Sequence, residues 1–345
     1  MKEFGSDFHD VTDFLLGHAR SIGYNTNYCL MANGRQCIMS LIQQYRWKRI
    51  WMPEYFCYNI IEYLHKNTGV DIGFYPDYPG NGDEQTVSNL PFQEGDVLLR
   101  MNYFGLRSFR SAKDVPVPVI EDHSHDLIGD WAKNSDADWC IASLRKIIPI
   151  PEGGIVWSPQ GHQLSVLPVQ TSFNDRLAQK RWQAMEEKSR YLKGEEIDKE
   201  SFRTFYIETE DAFDELGISP IDDRSRKYIE KFDIDSWYAA KKRNWQLLCN
   251  LSLIAGVKVL YPEKDVLVPF SLILQFDDAD KRERIRKKMI ESSVYPAVLW
   301  YVPDDVCQDV RIFSETMLSV HCDGRYGKSD IKELFNRICT IIQND

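Results

Sequence analysis

Three short segments carry side chains that could hold and work on a phosphate-bearing aromatic cofactor. In Asn33-Gly34-Arg35 a glycine opens a stretch with helical periodicity. A helix N-terminus presents unpaired N–H groups and the positive end of the helix dipole, and glycine lets the backbone approach an anion, so this turn is a candidate phosphate cradle. In Ile120-Glu121-Asp122-His123-Ser124-His125-Asp126 an apolar strand runs into two histidines and three carboxylates. That cluster admits two chemistries. Asp122, His123, His125 and Asp126 could hold a transition metal, as in a metal-dependent hydrolase. Alternatively Asp122 could face a protonated pyridine nitrogen, its charge keeping the ring able to accept electrons, with His125 beside the ring or its phenolic oxygen. A solvated turn is the plain structural alternative.

The third segment, Ser143-Leu144-Arg145-Lys146, follows Cys140-Ile141-Ala142 and precedes Ile147-Ile148 and Glu152-Gly153-Gly154. A lysine is ordinarily a solvated surface residue. One set between apolar runs is partly desolvated, which favours the neutral amine and covalent chemistry with a carbonyl. Ser143 and Arg145 could both reach a phosphate; Arg145 could equally be a salt-bridge partner.

Segments so far apart need a fold that gathers them. Strands are expected over 49–52, 70–75, 96–101, 117–120 and 154–157, and helices with one buried face over 34–45 and 58–65. This alternation argues for a mostly parallel sheet, whose strands bring their carboxyl ends to one edge. From about 171 to 251 the composition turns charged and aromatic, with helices expected over 176–191 and 237–251. Strands over 266–274, 294–298 and 317–321, a helix over 280–291 and a last helix from 328 complete a compact set. The expected division is a large cofactor-binding domain with connecting helices over 1–250 and a small domain over 251–345.

Composition narrows the function classes. The chain has 345 residues, 43% of them hydrophobic, enough to bury a substantial core. Its formal net charge of -10, with 27% charged residues and no block of one sign, gives no reason to gather on nucleic acid. No run of about 18 apolar residues marks a membrane span, and the first residues lack a signal-peptide pattern, so a cytoplasmic protein is expected. The eight cysteines are dispersed without a Cys-x-x-Cys pair, which argues against a disulfide framework or a structural zinc site. No metal is expected.

Taken in order and spacing, Gly34, Glu121-Asp122 with His125, Ser143 and Lys146, and Glu152-Gly153-Gly154 resemble the DegT/StrS family of sugar aminotransferases. Met101-Asn102-Tyr103-Phe104-Gly105 and Leu318-Ser319-Val320-His321 extend the likeness more weakly over the chain. The resemblance implies an α/β, fold-type I (aspartate aminotransferase-like) transferase with a large mostly parallel sheet domain and a smaller C-terminal α+β domain. It implies pyridoxal 5'-phosphate as cofactor and transfer of an amino group from glutamate or glutamine to a keto acceptor. In that family the acceptor is a nucleotide-linked keto sugar of polysaccharide or glycoconjugate biosynthesis. Lys146 would be the covalent anchor and proton carrier, Asp122 the partner of the ring nitrogen and His125 the contact to the ring or its oxygen. Asn33, Gly34, Arg35 and Ser143 would hold the phosphate, and Phe56 would cover a ring face. A homodimer with shared sites is likewise implied. Arg325 could bind a carboxylate or nucleotide phosphate of the substrate.

Asn33-Gly34-Arg35 departs from the family's usual Ser-Gly-Thr, Asn102 stands where His is common, and the step from Ser143 to Lys146 is two residues shorter than in the typical sugar enzyme. That spacing is nearer to the amino-acid aminotransferases of the same fold. A non-catalytic cofactor-binding protein and a pyridoxal-phosphate lyase or dehydratase would use the same residues. A metal-dependent hydrolase would leave Ser143, Lys146 and Glu152-Gly153-Gly154 without a role.

Overall fold

Apolar runs of strand length, each followed by an amphipathic segment, build the larger of two principal sheets. A computed structural model describes residues 2–18, 27–81, 84–215 and 217–345. In chain order the strands are β1 (Phe4–Gly5), β2 (Tyr28–Met31), β3 (Arg49–Pro53), β4 (Asp71–Tyr75), β5 (Asp96–Met101), β6 (Val119–Asp122), β7 (Trp139–Ser143) and β8 (Gly154–Trp157). Then come β9 (Val257–Val259), β10 (Leu272–Phe276), β11 (Val294–Tyr295) and β12 (Met317–Val320).

The seven-stranded sheet has the order β2-β8-β7-β6-β5-β3-β4. Its pairs are parallel except those of β8, which runs antiparallel to both neighbours. The carboxyl ends of β2, β6 and β7 therefore lie along one edge, although more than a hundred residues separate the first from the last.

Successive side chains of a strand point to opposite faces. On β7, Ile141 packs on the face covered by helices Gly34–Tyr45 and Tyr58–Asn67, while Cys140 and Ala142 face the other side with Trp157 and helix Ser172–Leu192. Helix Gly34–Tyr45 starts where the Asn33 side chain accepts the Gln36 N–H at 3.0 Å and ends where Arg46 adopts a left-handed conformation. Burial of Ile38, Leu41 and Ile42 holds it on the sheet, at roughly 1.5–3 kcal/mol for each side chain.

The second sheet, order β12-β10-β9, is antiparallel. It packs on helices Ala279–Glu291 and Lys328–Gln343 through Leu272, Leu274, Leu318, Ile285, Ile331 and Ile338. β1 pairs with β11, and Phe4 is buried in this same core. The start of the chain thus packs on its C-terminal part. Among the described residues no helix is long and apolar enough to cross a membrane.

Several expected elements differ in extent. β6 continues to Asp122 because Asp122 pairs with both Met101 and Ile141. The expected strand over 266–274 forms only from Leu272, after Pro269. The helix expected over 237–251 is Ile234–Leu248, followed by a 3-10 turn. Strands Tyr28–Met31 and Trp139–Ser143 and helices Lys199–Ala212, Asp223–Lys231 and Gln308–Thr316 were not anticipated.

Candidate active site

The pleat of β6 sorts the polar cluster at its end. Ile120 faces helix Gly34–Tyr45, so Asp122 points the same way, while Glu121 and His123 turn to the opposite face. Asp122 Oδ1 accepts the backbone N–H of Ser124 at 2.8 Å, and Ser124 Oγ accepts the backbone N–H of Ser143, also at 2.8 Å. Ser124 thereby ties the ends of β6 and β7 together. Ser143 leads directly into a 3-10 turn that carries Arg145 and Lys146.

Lys146 stands where two cavities meet. The smaller, of about 180 Å³, is lined by Asn33, Gly34, Arg35, Asp122, Ser143 and Arg145 among others. The larger, of about 740 Å³, has Arg145, Lys146, His125 and Phe270 in its wall. Nζ of Lys146 sits over the ring of Trp300, 5.1 Å from its centroid.

The Asn33-Gly34-Arg35 turn is seated on the other two segments. A Cβ on Gly34 would lie 3.2 Å from Cβ of Ser143, tighter than ordinary side-chain packing. A Cβ on Gly154 would lie 2.4 Å from the carbonyl oxygen of Asn33, so the Glu152-Gly153-Gly154 loop passes beneath the turn only because it has no side chain there. Nδ2 of Asn33 is buried without a hydrogen-bond partner among the described residues. Arg35 is buried, and burial followed by the nearby Arg145 depresses its pKa. Arg145 donates to both oxygens of Glu210, at 2.8 and 2.7 Å. Burial pushes the Glu210 carboxyl up, but Arg145 and Arg181 outweigh it and hold the group at about 2, so it is ionised.

His125 is fully enclosed, with its ring stacked near Phe104, Phe270 and Trp300 at centroid distances of 5.1, 4.3 and 5.6 Å. Burial, reinforced by Lys146 and Lys241, drives its pKa well below the ordinary imidazole value. The ring is therefore neutral. Its Nδ1 accepts the Phe104 N–H at 3.0 Å, which puts the proton on Nε2, and Nε2 has no partner among the described residues. An unpaired amide donor, an unpaired imidazole donor, a carboxylate and a phosphate-sized cationic turn suit the phosphate, phenolic oxygen and ring nitrogen of a pyridoxal phosphate.

Two expected residues stand elsewhere. Phe56 is buried beside Trp300, 6.0 Å between centroids, and does not line the smaller cavity; Cys57, Ile60 and Trp300 do. Arg325 lines neither cavity. Its Nε and Nη2 each donate to Asp323 at 2.9 Å, and its guanidinium lies 4.5 Å from the centre of the Phe8 ring. A neighbour two positions away in sequence has taken the fork. Ser124, Glu210 and Trp300 belong to the site without having been singled out in the sequence.

His123 occupies the far face of the sheet. Nδ1 lies 2.9 Å from Asp126 and Nε2 3.2 Å from Glu121, whose other oxygen receives Arg100 at 2.8 Å. Burial opposes its protonation, yet Asp126 and Glu121 outweigh that and raise its pKa well above the ordinary value. Asp122, His123, His125 and Asp126 consequently do not converge on one point. Glu121, His123 and Cys140 form a group with the spacing of metal ligands, but Arg100 and His123 already pair with its one carboxylate.

No family model matches the chain, and no curated protein matches it by sequence. Solved structures do match it in three dimensions. The aminotransferase TlmJ from Streptoalloteichus hindustanus superposes with a TM-score of 0.64 at 11% identity, over 92% of this chain and 86% of that one. The sugar aminotransferase CalS13 from Micromonospora echinospora gives 0.61 at 12% identity, over 91% and 87%. Spr1654 from Streptococcus pneumoniae, described as a candidate sugar aminotransferase and solved in its PLP form, gives 0.63 at 9% identity over 99% of both chains. At these identities the likeness is one of architecture, and the chain accordingly has the fold-type I architecture of the pyridoxal-phosphate-dependent aminotransferases.

Proposed function

We propose that this chain is a pyridoxal-phosphate-dependent aminotransferase, with Lys146 as its cofactor-anchoring and proton-transferring residue. The observation that carries the reading is the position of Lys146 at the junction of a small cavity, suited to the cofactor, and a large one, suited to substrates. Structural neighbours described as PLP and PMP forms of one protein add support.

The bound cofactor supplies an electron sink for negative charge at a substrate carbon. Asn33, Gly34, Arg35 and Ser143 would hold its phosphate, Asp122 would stabilise positive charge on its ring nitrogen, and His125 would donate its Nε2 hydrogen. Lys146 would anchor it covalently through Nζ. The same amine, lining the substrate cavity, would serve as a general base able to hold the proton taken from the donor. The ring of Trp300 lies against that amine, 5.1 Å from Nζ to its centroid. The proposed donor is glutamate or glutamine and the proposed acceptor a nucleotide-linked keto sugar, acted on by a cytoplasmic homodimer.

The test is the absorption spectrum of the purified protein with added pyridoxal phosphate, beside Lys146→Ala, before and after adding glutamate and glutamine. A cofactor band that requires Lys146 and changes to that of pyridoxamine phosphate on adding a donor is expected. A band unchanged by amino acids would instead fit a non-catalytic protein of this fold, and the absence of any band would contradict the reading.

A further inference from the structure

Cationic side chains gather around the larger cavity, although the chain as a whole is acidic. Seven lysines and arginines line it against two carboxylates. Among the described residues, five of the seven have a carboxylate within ion-pair distance: Arg145 with Glu210, Arg181 with Asp7 and Glu210, Lys199 with Glu3, Arg203 with Glu200 and Arg286 with Glu283. The two without such a partner are Lys146 and Lys188. One is the residue assigned above to the cofactor. The other has no assigned role.

Lys188 lies on helix Ser172–Leu192, where Arg181, Met185 and Lys188 share one face and all border the cavity. It is only 3% exposed. Nζ donates to the backbone oxygen of Asp7 at 2.6 Å and to Oγ of Ser6 at 3.3 Å, both neutral acceptors. Burial, then Arg325, lowers its pKa to about 8, with Asp7 and Glu3 acting in the opposite sense, so it is mostly charged at neutral pH. A buried ammonium with neutral partners alone is unfavourable, and an anion brought in by a ligand would relieve that cost. Met185, Phe202 and Phe8 give the same cavity apolar stretches of wall.

We infer that Lys188 is a specificity-determining residue for the amino acceptor, pairing with a carboxylate or phosphate group of that substrate while its carbonyl is presented to Lys146. The acceptor is then an anionic compound with an apolar or ring-bearing portion that packs on Met185 and Phe202. This rests on the aminotransferase reading of Lys146.

The test titrates the cofactor-loaded full chain by calorimetry, with pyrophosphate in one arm and succinate in the other, for wild type, Lys188→Met and Lys188→Arg. Loading the cofactor first occupies the phosphate turn, so pyrophosphate reports on the larger cavity. Wild type should bind at least one probe, and the arm that binds identifies phosphate or carboxylate. Lys188→Met should weaken binding about tenfold or more, and Lys188→Arg by less than about threefold. The cofactor band before any amino acid is added should be the same in all three. Wild-type affinity in Lys188→Met, or no binding of either probe to wild type, would overturn the inference. Should Lys188→Met fail to fold, lysine acylation of the wild type followed by peptide mapping decides: protection of Lys188 by the bound probe is expected, and its absence is contrary. No cofactor band in wild type would instead overturn the aminotransferase reading and this inference with it.

Discussion

Arg145 binds both oxygens of Glu210, at 2.8 and 2.7 Å, and the same carboxylate lies 3.3 Å from Arg181. One acidic residue on helix Lys199–Ala212 thus neutralises cations on two other elements, including the turn that carries Lys146. Because the folded-state pKa of Glu210 is depressed, its contribution to stability is fully present above the ordinary value of 4.5 and is lost as pH falls towards about 2. Glu210→Gln should therefore lower Tm near neutral pH, and the gap from wild type should close across that acidic window. A gap independent of pH would contradict the assignment.

Gly34 faces Ser143 too closely for a side chain to enter without displacing it. Gly34→Val should leave the chain folded and weaken pyridoxal phosphate about tenfold, or about 1.4 kcal/mol, in a fluorescence titration. Unchanged affinity would show that the cradle is elsewhere.

Much of this arrangement was readable from the chain because its signals are local. The runs 96–101 and 154–157 are apolar, strand-long and bounded by turns, and they form the strands expected. Trp139–Ser143 escaped notice because its apolar residues merge into the segment read for its chemistry, so nothing marks a boundary before Ser143. Helices Lys199–Ala212 and Asp223–Lys231 are so highly charged that their buried stripe is thin. Phe56 was chosen as a ring cover from its place in the chain, whereas the aromatic side chain that reaches Lys146 is Trp300, far away in sequence and delivered only by the tertiary fold. Ser124 lay within the polar cluster, but its bridging role depends on the pairing of β6 with β7.

His123 holds two carboxylates together inside the core. Its folded-state pKa is raised, so its stabilising effect is complete below the ordinary value of 6.5 and declines as pH rises through the folded value. His123→Phe should destabilise the fold by about 3 kcal/mol under mildly acidic conditions, since it leaves Asp126 with the neutral Asn102 amide and no cationic partner. Chemical denaturation should show that deficit shrinking at alkaline pH; a deficit that grows would be contrary.

His125 is neutral with its proton on Nε2. Proton-detected NMR should find no imidazole titration for it near the ordinary value of 6.5, in contrast to an exposed histidine. His125→Phe keeps the stack but removes both the Nε2 donor and the acceptor of the Phe104 N–H, so it should cost about 1–3 kcal/mol of stability while shifting the cofactor absorption band. An unshifted band would mean that Nε2 does not meet the cofactor.

The most direct test of the central claim is chemical. The purified chain is incubated with pyridoxal phosphate, reduced with borohydride, digested and mapped by mass spectrometry. A phosphopyridoxyl group on Lys146, and none above background on Lys188 or Lys241, is the predicted result. Labelling spread over surface lysines with Lys146 unmodified would contradict the account.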